Sequence, residues 1–211
     1  MNVGMKNETI LSIETAIQGG SLSLLANGEE LDCWIGQTEV SKAEDVLEQI
    51  KNLFERNNFK KESLKLIAVS AGPGSSTGIK IGLSLGKGLS KALGCKFVQV
   101  SVMESLLLKA NKISEPIVTA LPIGKDLICH QVFGNLQSLS EETKLEVSNL
   151  NDFTEWIIKH NYSQVICHAK VFSFLLSEKT LINKTILINA EINMARLIAT
   201  NASDNEIQIQ Y

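Results

Sequence analysis

A glycine-rich segment contains the first residues whose types and spacing could do chemistry. Gly72-Pro73-Gly74-Ser75-Ser76-Thr77-Gly78 follows the short apolar run 66–71 and precedes a helical pattern that extends to about Leu93. Backbone N–H groups at a helix N-terminus bind anions, and glycines let a phosphate approach them closely. The same residues also suit a tight turn with a serine or threonine N-cap, so both interpretations stand.

Spacing excludes two glycine motifs. The segment has the pattern Gly-x-Gly-x-x-x-Gly, one residue longer than the fingerprint of dinucleotide-binding folds. A second run, Gly82-Leu83-Ser84-Leu85-Gly86-Lys87-Gly88, is one residue short of a Walker loop and lies within the helical pattern. A phosphate site in this segment would therefore belong to neither of these two motif classes.

A carboxylate follows the first strand-like segment. Thr9–Glu14 is rich in Ile and Leu and ends in Glu14-Thr15, which a turn and a second strand follow. This layout is similar to the one that actin-like ATPases use to handle a metal–phosphate group. The candidate nucleotide or phosphate residues are Glu14, Thr15, Gly72, Gly74 and Ser75.

Small residues recur every fourth position through the helix after the glycine segment. The stripe comprises Gly74, Gly78, Gly82, Gly86, Ser90 and Gly94. A glycine inside a helix costs about 1 kcal/mol relative to alanine, so close packing must compensate. The stripe either packs on the protein's own sheet or seats the helix of a partner, and spacing alone favours neither.

The remaining reactive side chains form no catalytic or metal-binding pattern. The cysteines, at 33, 95, 129 and 167, form no Cys-x-x-Cys pair, and no two histidines have metal-ligand spacing. Free thiols in a reducing compartment are therefore expected. We predict no catalytic residue and no metal site.

The charge and length of the chain limit the kinds of partner that it can have. The chain has 211 residues, with 20 Lys and Arg against 23 Asp and Glu, and a net charge of −3. A chain with this net charge is a poor candidate for nonspecific binding along nucleic acid, so direct RNA binding would need a local basic patch or a partner. No apolar run approaches the roughly 18 residues of a membrane span, and residues 1–8 lack a signal-peptide core. We expect a cytoplasmic protein without a membrane partner.

The order of elements predicts an α/β fold. Strands at 9–14, 21–26 and 30–35 form an antiparallel meander around the hairpin turn Asn27-Gly28. A helix over 41–56, the buried strand 66–71, the helix to about 93, a strand at 97–100 and a helix from 101 to about 111 complete the first half. We predict a first lobe at 1–110, with the final segment 190–211 packing back on it.

The second half repeats this style less regularly. Strands are predicted at 116–121, 127–133, 164–168 and 185–189, and helices at 151–160, 170–177 and 190–200. Alternation of strands and helices favours an α/β lobe over 111–189.

Three motifs over residues 9–108 resemble the bacterial TsaB (YeaZ) family. They are Ile13-Glu14-Thr15-Ala16, Ser21-Leu22-Ser23-Leu24 and the run from Gly72 to Gly82. Family members typically have Ile-Asp-Thr-Ala/Ser, Ser-Val-Ala-Leu and Gly-Pro-Gly-Ser-Phe-Thr-Gly-Val-Arg-Ile-Gly. Glu14, Ser76 and Lys80 depart from this pattern. The stretch 122–129 lacks the acidic–basic pair of the family's second lobe.

The resemblance implies an actin-like ATPase fold of the acetate kinase–Hsp70–actin, ribonuclease H-like kind, with two lobes of mixed sheets flanked by helices. It also implies a noncatalytic paralogue of TsaD, the subunit that attaches threonylcarbamoyl to adenosine next to the tRNA anticodon. Such a chain docks on TsaD in a complex with the small ATPase TsaE, contacts tRNA only indirectly, and can homodimerise. We expect no bound cofactor, and ATP or ADP with magnesium at a shared interface is the alternative.

We expect the partner interface to be a helix bundle of the first lobe. Its residues are Val46, Leu47, Ile50, Phe54, Gly78, Gly82, Gly86 and Ser90. The alternative is an ATP-dependent kinase or ATPase that uses Glu14 and the glycine segment. This alternative needs phosphate contacts in both lobes, and the second lobe offers only the lone Gly124 and Gly134.

Overall fold

The structure, a computed structural model, describes residues 8–17, 19–37, 43–110, 116–124, 126–134, 144–177, 185–190 and 193–208. The chain divides into two compact units. Unit 1 combines Met1–Ser105 with Asn193–Tyr211, and unit 2 is Leu106–Ile192. The sequence placed these boundaries at 110/111 and 189/190.

Unit 1 contains a five-stranded sheet in the order β3-β2-β1-β4-β5. The strands are β1 (Thr9–Glu14), β2 (Ser21–Ala26), β3 (Glu29–Ile35), β4 (Leu66–Ser70) and β5 (Lys96–Val100). The first three form the predicted antiparallel meander, and β4 and β5 run parallel to β1. Asn27 and Gly28 both have positive φ, 54° and 83°, as the hairpin turn requires.

Two helices cover one face of this sheet. They are α1 (Ala43–Arg56) and α2 (Ser76–Leu93), and a short 3-10 turn, Lys61–Ser63, precedes β4. The helix α3 (Val102–Leu107) follows β5 and ends earlier than predicted. The core under α1 and α2 consists of buried aliphatic side chains: Leu11, Ile13, Leu22, Leu24, Val46, Ile50, Leu53, Leu64, Ile67 and Val69.

Unit 2 contains a second five-stranded sheet in the order β10-β9-β6-β7-β8. The strands are β6 (Ile117–Ile123), β7 (Leu127–Phe133), β8 (Glu146–Asn149), β9 (Gln164–Cys167) and β10 (Ile186–Asn189). The helices are α4 (Leu150–His160) and α5 (Ala169–Leu175), and the fully buried Phe153 of α4 belongs to the core. The edge strand β8 was not predicted.

The last helix, α6 (Met194–Gln208), returns to unit 1. Its first turn is held by serines of the sheet, because Ser12 Oγ donates to the carbonyl of Ala195 at 2.6 Å and Ala195 N–H donates to Ser21 Oγ at 3.0 Å. Asn193 caps the helix by accepting from Arg196 N–H at 3.2 Å. This cap explains why the helix begins four residues later than predicted.

Asn193 also ties the start of α6 to the meander. Its Nδ2 donates to Glu30 Oε1 at 2.9 Å, and Ser23 Oγ donates to the same oxygen. One buried amide therefore serves both as a helix cap and as a hydrogen-bond donor to a carboxylate.

We predict that Asn193→Ala lowers the free energy of unfolding by about 2 kcal/mol, because it removes a cap and a bond to a carboxylate. Urea unfolding measures this loss. Asn151→Ala, at an exposed position of α4, is the control and should cost less than about 0.5 kcal/mol. Equal effects of the two substitutions would contradict the assigned role of Asn193.

Candidate functional site

The predicted phosphate residues meet where two parallel strands end. β1 and β4 are neighbours, so their carboxyl ends lie at the same edge of the sheet. The turn after β1 therefore faces the segment 72–75 and the first turn of α2. The structure brings together all five predicted residues: Glu14, Thr15, Gly72, Gly74 and Ser75.

Glu14 is an internal hydrogen-bond acceptor of the turn. Its side chain is buried, and Oε1 accepts the N–H groups of Ala16 at 2.5 Å and Ile17 at 2.9 Å. Burial raises the pKa of Glu14 to about 7, although the two N–H donors act in the opposite direction. The carboxylate thus shapes the turn that follows β1.

The turn is joined to α2 by short polar contacts. Thr15 Oγ1 donates to the carbonyl of Gly78 at 2.7 Å, and Ser75 N–H donates to the carbonyl of Ala16 at 2.7 Å. A Cβ at Gly78 would overlap the Thr15 carbonyl, and one at Gly74 would lie 2.5 Å from the Ala16 oxygen. We call this contact between residues 14–17 and 72–79 the turn–helix joint.

Several N–H groups of the joint are engaged within unit 1. Ser75 caps α2, because its Oγ accepts from Gly78 N–H at 3.3 Å and its carbonyl accepts from Ile79 N–H at 2.9 Å. Gly72 N–H donates to Ser70 Oγ at 3.2 Å. The arrangement fastens a helix to the sheet, and these donors are not available to a phosphate.

The glycine stripe of α2 faces the sheet. A Cβ at Gly82 would lie 2.5 Å from Thr15 Oγ1 and 3.3 Å from Val69, and one at Gly86 would overlap Val69. Close approach of the helix backbone to β1 and β4 is the reason for these glycines. This finding corrects the prediction that a partner covers the stripe, since all its helical members are buried: Gly78, Gly82, Gly86 and Ser90.

The four predicted interface residues of α1 divide into two sets. Val46 is fully buried in the core of unit 1, which corrects its assignment to a partner surface. Leu47, Ile50 and Phe54 line a groove of about 950 Å³ between α1 and the end of α2. Leu47 is 47% exposed, and Phe54 packs on Phe59 with ring centroids 5.2 Å apart. The groove is mainly apolar, with Leu89 and Leu93 contributed by α2 and charged side chains at its rim.

A second stripe of small residues, missed in the sequence, lies on the solvent side of α2. Ser84, Gly88 and Ala92 recur every four residues, and all three are exposed. A Cβ at Gly88 would have nothing within 4 Å, so no internal packing explains this glycine. Ala92 is one turn from Leu89, so the exposed stripe borders the groove. The only sequence signal was Gly88, which lies off the period of the buried stripe.

Unit 2 contains two buried histidines, and the contacts of both are structural. His130 packs against the rings of Phe153 and Trp156, and burial lowers its pKa. His168 caps α5 by accepting from Lys170 N–H, and burial lowers its pKa to about 4. Among the described residues, no three His, Cys, Asp or Glu side chains converge as metal ligands. None of the described helices is both long and apolar enough to cross a membrane.

A model of the family TsaD, tRNA N6-adenosine threonylcarbamoyltransferase, matches residues 38–200 of the chain. The chain belongs to this family. Within it, the chain is of the TsaB (YeaZ) type that the sequence motifs indicate. The tRNA threonylcarbamoyladenosine biosynthesis protein TsaB of Buchnera aphidicola subsp. Baizongia pistaciae (strain Bp) is 28% identical over 108 residues. These residues make up 50% of this chain and 47% of that relative, so the match spans about half the length of the curated relative.

Solved structures establish the fold of this TsaB-type chain. A Pseudomonas aeruginosa protein with similarity to peptidase YeaZ has a TM-score of 0.63 at 16% identity, and the match covers 95% of this chain and 93% of that one. A Bacteroides thetaiotaomicron protein with an actin-like ATPase fold has a TM-score of 0.50 at 13% identity, with 94% and 98% covered. The predicted α/β, actin-like ATPase fold is confirmed.

Two glycines of α2 should respond in opposite directions to alanine. Gly82→Ala should lower the free energy of unfolding by about 1–3 kcal/mol, because its Cβ meets Thr15 Oγ1 and Val69. Gly88→Ala should raise it by about 0.5–1 kcal/mol, because the position is helical, exposed and open.

Urea unfolding of both variants, followed through Trp34 in a Trp156→Phe background, measures these changes in unit 1. Trp34 is then the single tryptophan of the chain, and it packs against the unit 1 core. Changes of the same sign for Gly82 and Gly88 would contradict the buried and exposed assignments of the two stripes.

The buried Glu14 predicts a stability that decreases with pH. Between the ordinary pKa of 4.5 and about 7, the folded chain keeps a proton that the unfolded chain has lost. The contribution is therefore fully present below about pH 4.5 and is lost as pH rises through about 7, amounting to about 3 kcal/mol.

Glu14→Gln, which keeps an oxygen acceptor for the turn, should remove most of this slope. Unfolding of unit 1, again followed by Trp34 at several pH values, tests the prediction. Glu155→Gln, at an exposed position of α4, should leave the slope unchanged. A slope that persists in Glu14→Gln would show that another group causes it.

Proposed function

We propose that this chain is a noncatalytic subunit of a cytoplasmic complex that forms threonylcarbamoyladenosine in tRNA next to the anticodon. It docks on the catalytic TsaD subunit, in an assembly that also includes the small ATPase TsaE. The membership of the TsaD family and the likeness to a TsaB protein support this role. The exposed stripe beside an apolar groove on unit 1 is the observation that carries the docking part.

The turn–helix joint supports a noncatalytic role. An ATP-dependent kinase or ATPase would need Glu14 and the N–H groups before α2 to face a metal–phosphate group. Glu14 is instead buried and accepts two N–H groups of its own turn, while Ser75 caps α2. These contacts support a structural role for the loop, in which it holds the unit together.

The groove and the exposed stripe together suit a helix of the partner. Leu47, Leu89 and Leu93 offer apolar surface, and Ser84, Gly88 and Ala92 allow a second helix to approach the backbone of α2 closely. Burial of apolar surface supplies the affinity, at roughly 25 cal/mol per Å² before association costs. We call these six residues the docking face.

Gly88→Leu should separate docking from folding. Its side chain enters open space, so unit 1 keeps its stability, but the bulk holds a partner's helix away from α2. Size-exclusion chromatography with light scattering, on the chain mixed with TsaD of the same organism, should show a stoichiometric complex that Gly88→Leu loses. Asn151→Leu, an exposed position of α4, should keep the complex.

Leu47→Glu tests the groove independently. Its control is Ile158→Glu, since the two side chains are 47% and 41% exposed on helices of the two units. We expect a loss of TsaD binding of at least tenfold for Leu47→Glu alone. If the unmodified chain forms no complex with TsaD, and calorimetry shows tight ATP–magnesium binding, the ATPase alternative replaces the proposal.

A further inference from the structure

The lysines of the chain are unevenly distributed. Residues 57–103 contain seven lysines and a single acidic residue, Glu62, so this segment has a net charge of +6 in a chain whose net charge is −3. The segment includes α2, β4 and β5, which are neighbours in unit 1. The positive charge is therefore concentrated on one part of one unit.

Three of these lysines form a row along α2. Lys80, Lys87 and Lys91 are separated by seven and four residues, so they share a helix face, turned away from the buried glycine stripe. All three are exposed, and α2 contains no acidic residue. At a rise of 1.5 Å per residue the row extends over roughly 16 Å.

Two further lysines continue the surface at the edge of the sheet. Lys96 begins the edge strand β5, and its N–H donates to the carbonyl of Lys65, just before β4, at 3.0 Å. Both side chains are exposed. Lys87 Nζ lies 5.9 Å from the ring centroid of Phe97 on β5, so the row faces this edge. We call Lys65, Lys80, Lys87, Lys91 and Lys96 the lysine surface.

Most of these charges have no internal counterion. Within the part of the chain that the structure describes, Lys65, Lys80, Lys87 and Lys91 form no ion pair, whereas both arginines, Arg56 and Arg196, are paired with carboxylates. Two acidic side chains of α1, Glu48 and Glu55, line the groove on the other side of α2. Like charges gathered without partners repel each other, and an external polyanion would relieve that repulsion.

We propose that the lysine surface binds the phosphate backbone of RNA directly. A row of ammonium groups about 16 Å long suits the regularly spaced phosphates of a nucleic-acid strand, because each lysine contacts phosphate oxygens as a point charge. The assignment to RNA rests on the proposed function, and it replaces an indirect role in tRNA contact by a direct one. Contacts to the phosphate backbone contribute binding affinity but no preference for a particular RNA sequence.

Fluorescence anisotropy of a labelled tRNA transcript, titrated with the full chain between about 50 and 200 mM salt, tests the proposal. We expect binding that weakens linearly on logarithmic axes as salt rises. Lys87→Ala/Lys91→Ala should reduce that slope by about 2, because each phosphate contact contributes about 1. The control, Lys144→Ala/Lys159→Ala, changes two exposed lysines of unit 2 and should leave the slope unchanged.

Absence of RNA binding, or equal slopes for the two double variants, would overturn the proposal. So would a Lys87→Ala/Lys91→Ala variant that binds RNA normally but loses TsaD, because the surface would then serve an acidic protein. Complex formation with TsaD, measured separately by chromatography, distinguishes failure of this inference from failure of the docking proposal.

Discussion

The close contact between the turn after β1 and the first turn of α2 is the constraint on which the rest of unit 1 depends. The Thr15 hydroxyl and the Ala16 carbonyl bond directly to the backbone of α2 and of its cap residue, Ser75. The close approach of the two backbones requires glycine at 74 and 78, and the helix axis then continues close to β1 and β4. Once this face is buried, the opposite face of α2 is fixed as the outer surface of the unit.

The same contact changes what a phosphate-type loop can do. Helix N-terminal donors and a strand-end carboxylate are the components of an anion or metal–phosphate site. In this chain, the Glu14 side chain accepts the N–H of Ala16 in its own turn, and the Ser75 hydroxyl accepts the N–H of Gly78. These contacts fasten α2 to the sheet of unit 1.

The sequence predicts the elements of unit 1 well because local rules determine them. Asn27-Gly28 specifies a hairpin, and the apolar spacing of α1 specifies an amphipathic helix. The direction in which a small-residue stripe faces is not a local property, since a period of four is the same for sheet packing and for partner docking. Gly82 and Gly88 are told apart only by the atoms around them.

Unit 2 is less predictable for a related reason. Strand β8 has the sequence Glu-Val-Ser-Asn, which has little apolar character, because it is a largely exposed edge strand defined by its pairing with β7. The start of α6 depends on a cap, Asn193, whose amide is fixed by Glu30 far away in the sequence. Such tertiary contacts override the local apolar pattern that predicts an earlier start of the helix.

The return of α6 to unit 1 also has a consequence for synthesis of the chain. Ser12 and Ser21 precede their partner Ala195 by 183 and 174 residues. At translation rates of about 5–20 residues per second, the intervening unit takes roughly 4–18 s to emerge. During that interval one face of the unit 1 sheet has no helix on it. The nascent chain must therefore protect that face from nonnative association until α6 leaves the ribosome.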